Sequence, residues 1–193
     1  MRSFVVERTT AETSIHVEVR LDQEAGGTRQ TGLPIFDHFL HQLSFHGGFY
    51  LDVGARSLDA IRHHVVEDVG IAIGRSIDSA LGERRGIARY ATITLPMDDA
   101  LVRVALDLGG RPYARINLAP ADGDNIEGLE VALVRHFFTS LATTARICAH
   151  VDLLAGTDPH HCVEAAFKAF GRAYRAAWAL ETPGRLPSTK GMM

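Results

Sequence analysis

The chain has few cysteines and no long hydrophobic run. Cys148 and Cys162 are its two cysteines, and neither belongs to a CxxC pair, which excludes a disulfide framework and a cysteine-rich zinc site. No apolar run approaches the roughly 20 residues that span a bilayer. Residues 1–14 lack the apolar core and cleavage site of a secretory signal. These absences predict a cytoplasmic protein with reduced thiols.

The sequence also lacks an excess of positive charge. Its formal net charge is −3 and its isoelectric point is near 6.3, so the basic footprint of a nucleic-acid-binding protein is missing. A polybasic membrane patch is missing too. Hydrophobic residues make up 46% of the 193 residues, enough for one substantial core. An acidic ligand would have to be met by local arginines and lysines, because the overall field does not attract it.

A repeated set of metal-ligand residues is the strongest positive signal. The motif HHxxE occurs twice, and a single histidine stands 25 residues before the first copy (38 to 63) and 24 before the second (136 to 160). The first set comprises His38, His63, His64 and Glu67, and the second comprises His136, His160, His161 and Glu164. Packing does not explain a duplicated cluster of this kind. It predicts a site with more than one metal ion.

Helix geometry limits how each cluster can bind metal. Residues three and four positions apart share a helix face, so the glutamate of each HHxxE copy lies over its own histidines. Adjacent histidines point roughly 100° apart, so each pair is expected to serve two different ions, or two sites in neighbouring subunits. Imidazole and carboxylate suit Zn, Mn, Fe, Co or Ni. Three histidines and one carboxylate with two open positions favour an octahedral ion such as Mn²⁺.

The remaining histidines give weaker signals. His16 and His150 have no matching partner in the other half, and we interpret them as structural residues. His46 lies two turns beyond His38 on the same predicted helix, where it can support the metal or touch a substrate. His41 lies one turn beyond His38 and is expected to face solvent.

The two halves share one order of predicted elements. Alternating apolar and polar residues predict paired strands, and a helix, a short strand and a long helix with the HHxxE motif follow. Asp158 and Pro159 are placed as the N-cap and first residue of the last helix. The predicted strands are 3–9, 14–22, 49–55, 87–95, 100–108 and 147–155, and the helices are 34–47, 61–82, about 129–145 and 159–180.

The resulting order is β-β-α-β-α, used twice. It predicts an α+β fold in which two helix layers pack between two sheets. Neither half is large enough to be stable alone, so we expect one domain made of pseudo-symmetric halves, about 1–86 and 87–182. A polar, turn-rich segment at 119–128 is expected to be a surface loop. The tail 183–193 is expected to be extended or mobile.

Several longer motifs resemble one enzyme family. From about residue 4 to 193 the chain is similar to imidazoleglycerol-phosphate dehydratase of histidine biosynthesis, in its single-function form. The motifs that carry the resemblance are FDHFLHQLSFHGGF, HHVVEDVGIAIG, GIARY, PMDDALVRVALDLGGRPY, HFFTSLA, HHCVEAAFKAFGRAYRAA and PSTKG.

The resemblance implies a fold, a cofactor and an assembly. The fold would be a duplicated unit similar to the second domain of ribosomal protein S5. The cofactor would be two Mn²⁺ per active site, held by the same eight residues that the repeat selects. The assembly would be a 24-subunit shell built from trimers, with active sites between subunits.

The resemblance also implies a substrate site. Glu12 matches a substrate-contacting glutamate, to which we assign proton transfer, and Glu67 or Glu164 could share that role. A catalytic carboxylate would need a pKa near the working pH. Other expected substrate contacts are His38, His46, His63, Glu67, Arg89, Arg111, His160, Lys168, Ser188, Thr189 and Lys190. Arginine offers planar, bidentate phosphate recognition and lysine a point charge.

The implied reaction removes water from imidazole glycerol phosphate to give imidazole acetol phosphate. Two metal ions on the two ring nitrogens could hold the ring as imidazolate, so that electron density expels the hydroxyl through a diazafulvene-like intermediate. The chain departs from the family at His41, where Asp is usual, and at Arg135, where Glu is common. Neither position is one of the eight ligands.

Three other functions fit parts of the pattern. A dinuclear metallohydrolase would use a metal-bound water. A metal-storage or scaffold protein would place the clusters between subunits without turnover. An RNA-binding module, suggested by the S5-like fold, is disfavoured because the chain is slightly acidic and lacks an aromatic and basic stripe.

Overall fold

The fold consists of two four-stranded sheets with four helices between them. The structure, a computed structural model, describes residues 1–119, 124–191 and 193. In chain order the first half contains β1 (Ser3–Thr9), β2 (Thr13–Arg20), β3 (Arg29–Gln30), α1 (Pro34–Gly47), β4 (Tyr50–Ser57) and α2 (Arg62–Leu81). The second half contains β5 (Tyr90–Met97), β6 (Ala100–Asp107), β7 (Tyr113–Asn117), β8 (Asn125–Ile126), β9 (Leu129–Glu130), α3 (Val131–Thr144), β10 (Cys148–Ala155) and α4 (Pro159–Trp178).

The two sheets repeat one topology. Their strand orders are β1-β2-β4-β3 and β5-β6-β10-β7, with the first three strands of each antiparallel and the last one parallel to its neighbour. Residues of β2 alternate between buried and half-buried, because one sheet face is covered by helices and the other is not. The predicted α+β fold class is therefore confirmed.

The fourth strand of each sheet corrects the predicted β-β-α-β-α unit. β3 has only two residues, which is too short to show any alternation. β7 follows a Gly-Gly-Arg-Pro turn and pairs in parallel with β10, a non-local contact that local patterning does not reveal. Each unit therefore contributes four strands to its sheet, and the two short parallel strands were missed.

Local sequence determines where the helices begin and end. α1 has Pro34 in its first turn and ends where Gly48 adopts a left-handed conformation, with φ of 62°. α4 begins as predicted, because the Asp158 side chain accepts hydrogen bonds from the backbone N–H groups of His160 and His161.

Helices of different halves pack against each other in parallel pairs. α1 packs on α4 and α2 packs on α3, while α2 also covers the first sheet and α4 the second. His38 near the start of α1 meets His160 near the start of α4. Gly47 at the end of α1 meets Gly171 late in α4, so the two helices run in the same direction.

Glycines allow these helix backbones to approach closely. A Cβ added at Gly171 would collide with the carbonyl oxygen of Leu43, and one added at Gly70 would lie 2.8 Å from the carbonyl oxygen of Phe137. Phenylalanines fill the remaining space: Phe39 and Phe137 both stack on Phe167, with ring centroids 5.3 Å apart in each case. The close pairing fixes the helix starts, which carry the histidines.

The predicted loop and tail have more structure than their composition suggests. Residues 125–130 form the β8–β9 hairpin, and Glu127 and Gly128 both have positive φ at its turn. Residues 120–123 of the predicted loop lie outside the described residues. The tail contains no helix or strand within residues 183–191, but Arg185 accepts a backbone hydrogen bond from Gly86 (2.7 Å). No helix in the described part of the chain is long and apolar enough to cross a membrane.

The glycine contact predicts a strong effect of one methyl group. Gly171→Ala should lower the free energy of unfolding by about 1–3 kcal/mol or more, because the new Cβ forces α1 away from α4. Denaturant unfolding at fixed protein concentration measures this change. Ser79→Ala, on the exposed side of α2, is the control and should change stability by less than about 0.5 kcal/mol. Equal stability of the Gly171→Ala variant and the original protein would contradict the close contact.

Candidate metal centre and active site

One candidate ligand group joins α1 to the start of α4. The Oε2 atom of Glu164 lies 3.1 Å from Nε2 of His38 and 3.0 Å from Nε2 of His160. The three donor atoms lie within 4.8 Å of one another. The ring of Phe39 lies 5.6 Å from that of His38 and 5.5 Å from that of His160, so the group has an apolar floor. Two imidazoles and a carboxylate suit a divalent transition metal.

Glu164 is the buried member of this group, with 8% of its side chain exposed. Burial by itself would raise its pKa. Hydrogen bonds from Lys168, His38 and His160 outweigh burial and lower the pKa of Glu164 to about 2. The Nζ atom of Lys168 lies 2.7 Å from Oε1. The carboxylate is therefore ionised and ready to act as a ligand at neutral pH.

A second, looser group joins the start of α2 to α3. Oε2 of Glu67 lies 3.2 Å from Nε2 of His63, and the ring of His63 lies 4.7 Å from that of His136. Glu67 is more open than Glu164, with 39% of its side chain exposed. The residue types match those of the first group.

The structure regroups the eight histidines and glutamates. The sequence pattern assigned one set to each half, but each group draws on both halves. His38 of the first half joins His160 and Glu164 of the second, and His136 of the second joins His63 and Glu67 of the first. The reason is the pairing of helices across halves, which sequence spacing within one half does not reveal.

The second histidine of each HHxxE motif turns away from its neighbour. The ring planes of His63 and His64 lie at 88° to each other, as do those of His160 and His161. Nδ1 of His64 lies 2.6 Å from Asp59 Oδ2. Among the described residues, each glutamate forms an ion pair with the first histidine of its motif and not with the second. The two histidines of each motif therefore have different partners.

His161 and Glu12 belong to the contacts made around the second histidines of the two motifs. Nδ1 of His161 lies 2.7 Å from Asp99 Oδ1. Glu12, the candidate base, is exposed in the β1–β2 turn, with Oε1 3.9 Å from Nε2 of His64. Glu12, Asp59 and His64 form the second set whose donor atoms lie within 4.8 Å of one another, among the described residues.

The expected phosphate contacts fall into two separate places. Arg89 is buried and bound to both carboxylate oxygens of Asp107 (2.7 and 3.1 Å), and its Nη1 donates to the Pro187 carbonyl oxygen (2.6 Å). Arg111 lies 3.6 Å from the same Asp107 and is 66% exposed. Ser188 and Thr189 line an open cavity of about 560 Å³ beside Arg89. Lys190 is exposed, and its backbone N–H donates to the Ser188 hydroxyl.

Lys168 lies in the other place, on Glu164 and beside His46. His46 and Lys168 line a surface groove of about 390 Å³ together with Arg172. Burial, followed by the charges of Lys168 and Arg172, lowers the pKa of His46, so this imidazole is neutral at pH 7. His41 is exposed as predicted and stacks on Phe45.

Three aspartates at these sites were not selected from the sequence. Asp59 and Asp99 contact His64 and His161, and Asp107 holds Arg89. Asp99 stands in the motif PMDDALVRVALDL, which contributes to the resemblance, and that motif was the available signal. Asp59 precedes the first HHxxE motif by only a few residues, so proximity to the helix start could have identified it.

Known proteins are similar to this chain in both sequence and fold. A family model described as imidazoleglycerol-phosphate dehydratase matches residues 31–174. The chain belongs to the imidazoleglycerol-phosphate dehydratase family. It is therefore an enzyme, a hydro-lyase of histidine biosynthesis.

Individual relatives of this family match over the full length. Imidazoleglycerol-phosphate dehydratases of Roseobacter denitrificans and Dinoroseobacter shibae are 48% and 47% identical, with 100% of each chain covered. The crystal structure of the Pyrococcus furiosus protein has a TM-score of 0.84 at 37% identity, covering 97% of this chain and 100% of that one. The Staphylococcus aureus structure has a TM-score of 0.82 at 32% identity, covering 93% and 99%.

Removing the Lys168 ammonium should change the acidity of Glu164. In Lys168→Met the pKa of Glu164 should rise well above 2 in metal-free protein, because burial is less strongly opposed. Carbon NMR titration of the glutamate carboxyl measures this shift. In the original protein the lowered pKa stabilises the fold above the ordinary value of 4.5, and this stabilisation is lost as the pH falls towards 2.

The Lys168→Met variant should show less of this acid-dependent loss. Arg172→Met, one turn further along α4, removes a similar cation that does not contact Glu164, and is the control. An unchanged Glu164 titration in Lys168→Met would refute the assigned cause.

Proposed function

We propose that the protein dehydrates D-erythro-imidazole glycerol phosphate to imidazole acetol phosphate with two Mn²⁺ per active site. The observation that carries this proposal is the pair of histidine–glutamate groups, each built from both halves of a chain of the dehydratase family. The eight residues proposed as metal ligands are His38, His63, His64, Glu67, His136, His160, His161 and Glu164. Nitrogen and carboxylate donors without thiolate fit Mn²⁺ and related ions.

Bound metal would act as a Lewis acid that stabilises negative charge on the imidazole ring while the substrate loses its proton and hydroxyl. The protein side chains perform the remaining tasks. Glu12 is the proposed base, since its carboxylate is exposed and lies beside His64. Glu67 and Glu164 could share proton transfer.

The phosphate would be held by Arg89, Arg111 and Lys168 together with the tail residues Ser188, Thr189 and Lys190. Arginines can bind a phosphate in bidentate fashion. Arg89 is already oriented by Asp107. His46 is the proposed neutral substrate contact, because its lowered pKa keeps the imidazole uncharged.

Spacing along β5 supports active sites shared between subunits. Arg89 immediately precedes this strand, and Lys168 contacts Met97 at its other end (Nζ to Sδ, 3.4 Å). Seven residue steps at about 3.3 Å each separate Tyr90 from Met97 by roughly 23 Å. Arg89 and Lys168 of one chain therefore do not reach one small phosphate together. A site that uses both needs residues from more than one chain.

We extend the proposal to the assembly and the compartment. His64 and His161 lie outside the two histidine–glutamate groups formed within the chain, so they suit ligand sets completed by a neighbouring subunit, as expected for a 24-mer built from trimers. Such an assembly would also bring the tail of one chain to the histidines of another. A cytoplasmic location stays a prediction from the sequence.

Chelation and metal counting test the proposed function. Protein stripped of metal should lose nearly all dehydration of imidazole glycerol phosphate, and Mn²⁺ should restore it, with about two ions bound per chain. His64→Ala and His161→Ala should each lose metal and nearly all turnover while keeping their circular dichroism. His150→Ala is the control, since His150 lies against Tyr113 outside the ligand groups.

Specific outcomes would favour other functions. Release of inorganic phosphate would indicate a metallohydrolase, and metal binding without turnover would indicate a storage or scaffold role. Full activity of chelated protein would refute the metal requirement.

The tail generates a separate prediction. Deleting residues 186–193 should raise the KM for substrate sharply, because Ser188, Thr189 and Lys190 are proposed phosphate contacts. Deleting only residues 191–193 keeps these three residues and is the control. Steady-state kinetics of both truncated forms measure the difference, and an unchanged KM after the longer deletion would remove the tail from the site.

A further inference from the structure

Two aspartates contact the second histidines of the HHxxE motifs in the same way. Asp59 accepts from Nδ1 of His64 (2.6 Å) and Asp99 accepts from Nδ1 of His161 (2.7 Å). In each case the aspartate uses one oxygen for the histidine. In each case the other oxygen accepts hydrogen bonds from the segment just before the helix that carries the histidine.

The two turns anchor the aspartates firmly. The second oxygen of Asp99 accepts from the Thr157 N–H (2.6 Å), the Thr157 hydroxyl (3.0 Å) and the Asp158 N–H (3.1 Å). The second oxygen of Asp59 accepts from the Ile61 N–H (2.9 Å) and the Ser57 hydroxyl (3.2 Å). Neither carboxylate can rotate without breaking these bonds.

A carboxylate that accepts a hydrogen bond from Nδ1 determines whether Nε2 of the same imidazole can bind a metal. A neutral imidazole carries one proton, so a proton held at Nδ1 leaves a lone pair at Nε2. The same contact fixes the direction of the ring. The backbone donors of Thr157, Asp158 and Ile61 hold each carboxylate in place against its histidine.

The two halves reach this arrangement from different positions. Asp59 lies in the loop that precedes α2, whereas Asp99 lies in the turn between β5 and β6. The duplicated halves therefore place an aspartate at Nδ1 by two unrelated routes. If these Asp–His hydrogen bonds were only structural contacts kept from the duplication, the two aspartates would stand at matching positions in the two halves.

We propose that Asp59 and Asp99 are positioning residues that keep the proton of His64 and His161 on Nδ1, so that Nε2 offers a metal-binding lone pair. This inference rests on the proposed function and assigns roles to two residues outside the eight ligands. The competing explanation is that both aspartates only stabilise their turns.

Asparagine separates the two explanations. In Asp99→Asn the single remaining oxygen satisfies the three donors of the 157–158 turn, and the NH₂ group then faces Nδ1 of His161. An NH₂ group donates, so His161 must carry its proton on Nε2, where it blocks a metal. The same reasoning applies to Asp59→Asn and His64. Each variant therefore keeps the hydrogen bonds of its turn and moves the histidine proton from Nδ1 to Nε2.

Calorimetric titration of metal-free protein with Mn²⁺ is the main measurement. Asp59→Asn and Asp99→Asn should each weaken Mn²⁺ binding by about 10- to 100-fold, the usual effect of losing such a partner, with an unchanged melting temperature. Nitrogen NMR of histidine-labelled, metal-free protein should show the proton moving from Nδ1 to Nε2 at the affected residue. Unchanged Mn²⁺ affinity with a lowered melting temperature would overturn the proposal in favour of a structural role.

Asp52→Asn is the matched control. Asp52 accepts from the N–H and the hydroxyl of Thr28 (2.8 and 2.9 Å) and lies 3.6 Å from His16, which belongs to no ligand group. Its replacement should leave Mn²⁺ binding unchanged. Equal weakening in Asp52→Asn would show a general charge effect and would contradict the proposal.

A double variant distinguishes this inference from the proposed function. If Asp99 acts through His161, Asp99→Asn should cause no further loss of affinity in a His161→Ala background. Normal Mn²⁺ binding by His161→Ala itself would refute the proposed ligand set. Weak binding by His161→Ala together with normal binding by Asp99→Asn would refute only the positioning role.

Discussion

The close approach of helices from opposite halves is the constraint on which the site depends. Gly171 permits α4 to lie against the backbone of α1, and Gly70 does the same for α2 and α3. Each pair runs in one direction, so helix starts meet helix starts. The HHxxE motifs occupy those starts, and the single histidines lie within the first two turns of the partner helices. A larger residue in place of Gly171 would push α1 away from α4 and separate His38 from His160.

Each HHxxE motif has two different tasks because its histidines diverge. The first histidine meets the glutamate of its own motif, over an apolar floor in the case of His160. The second is held by an aspartate. In the proposed function, one short motif therefore contributes to a group inside its own chain and offers a ligand to a second site. The second histidine could therefore serve an active site shared with another subunit without disturbing the core of its own chain.

Sequence patterns predicted the helices well and the grouping of ligands poorly. Helix periodicity located the segments that carry His63 and His160, and the divergence of adjacent histidines followed from helix geometry alone. The pairing of His38 with Glu164 did not, because it depends on contacts between residues 126 positions apart. The parallel strand β7 is not predicted for the same reason, since it pairs with β10 beyond α3, whereas β3 is too short to show a pattern. Asp99 stood in a motif already noticed, yet its role required the folded turn at Thr157.

Each group of candidate metal ligands takes residues from both halves, and this arrangement indicates how the duplicated chain arose. Neither half alone carries a complete set: the first supplies His38 without its glutamate partner, and the second supplies His136 without His63. A single ancestral half could have built either group only by associating with a second copy of itself. Gene fusion would then have joined two copies that already depended on each other, and each linked half would have been free to diverge. Asp59 and Asp99 stand at different positions in their halves, as expected if the halves diverged after fusion.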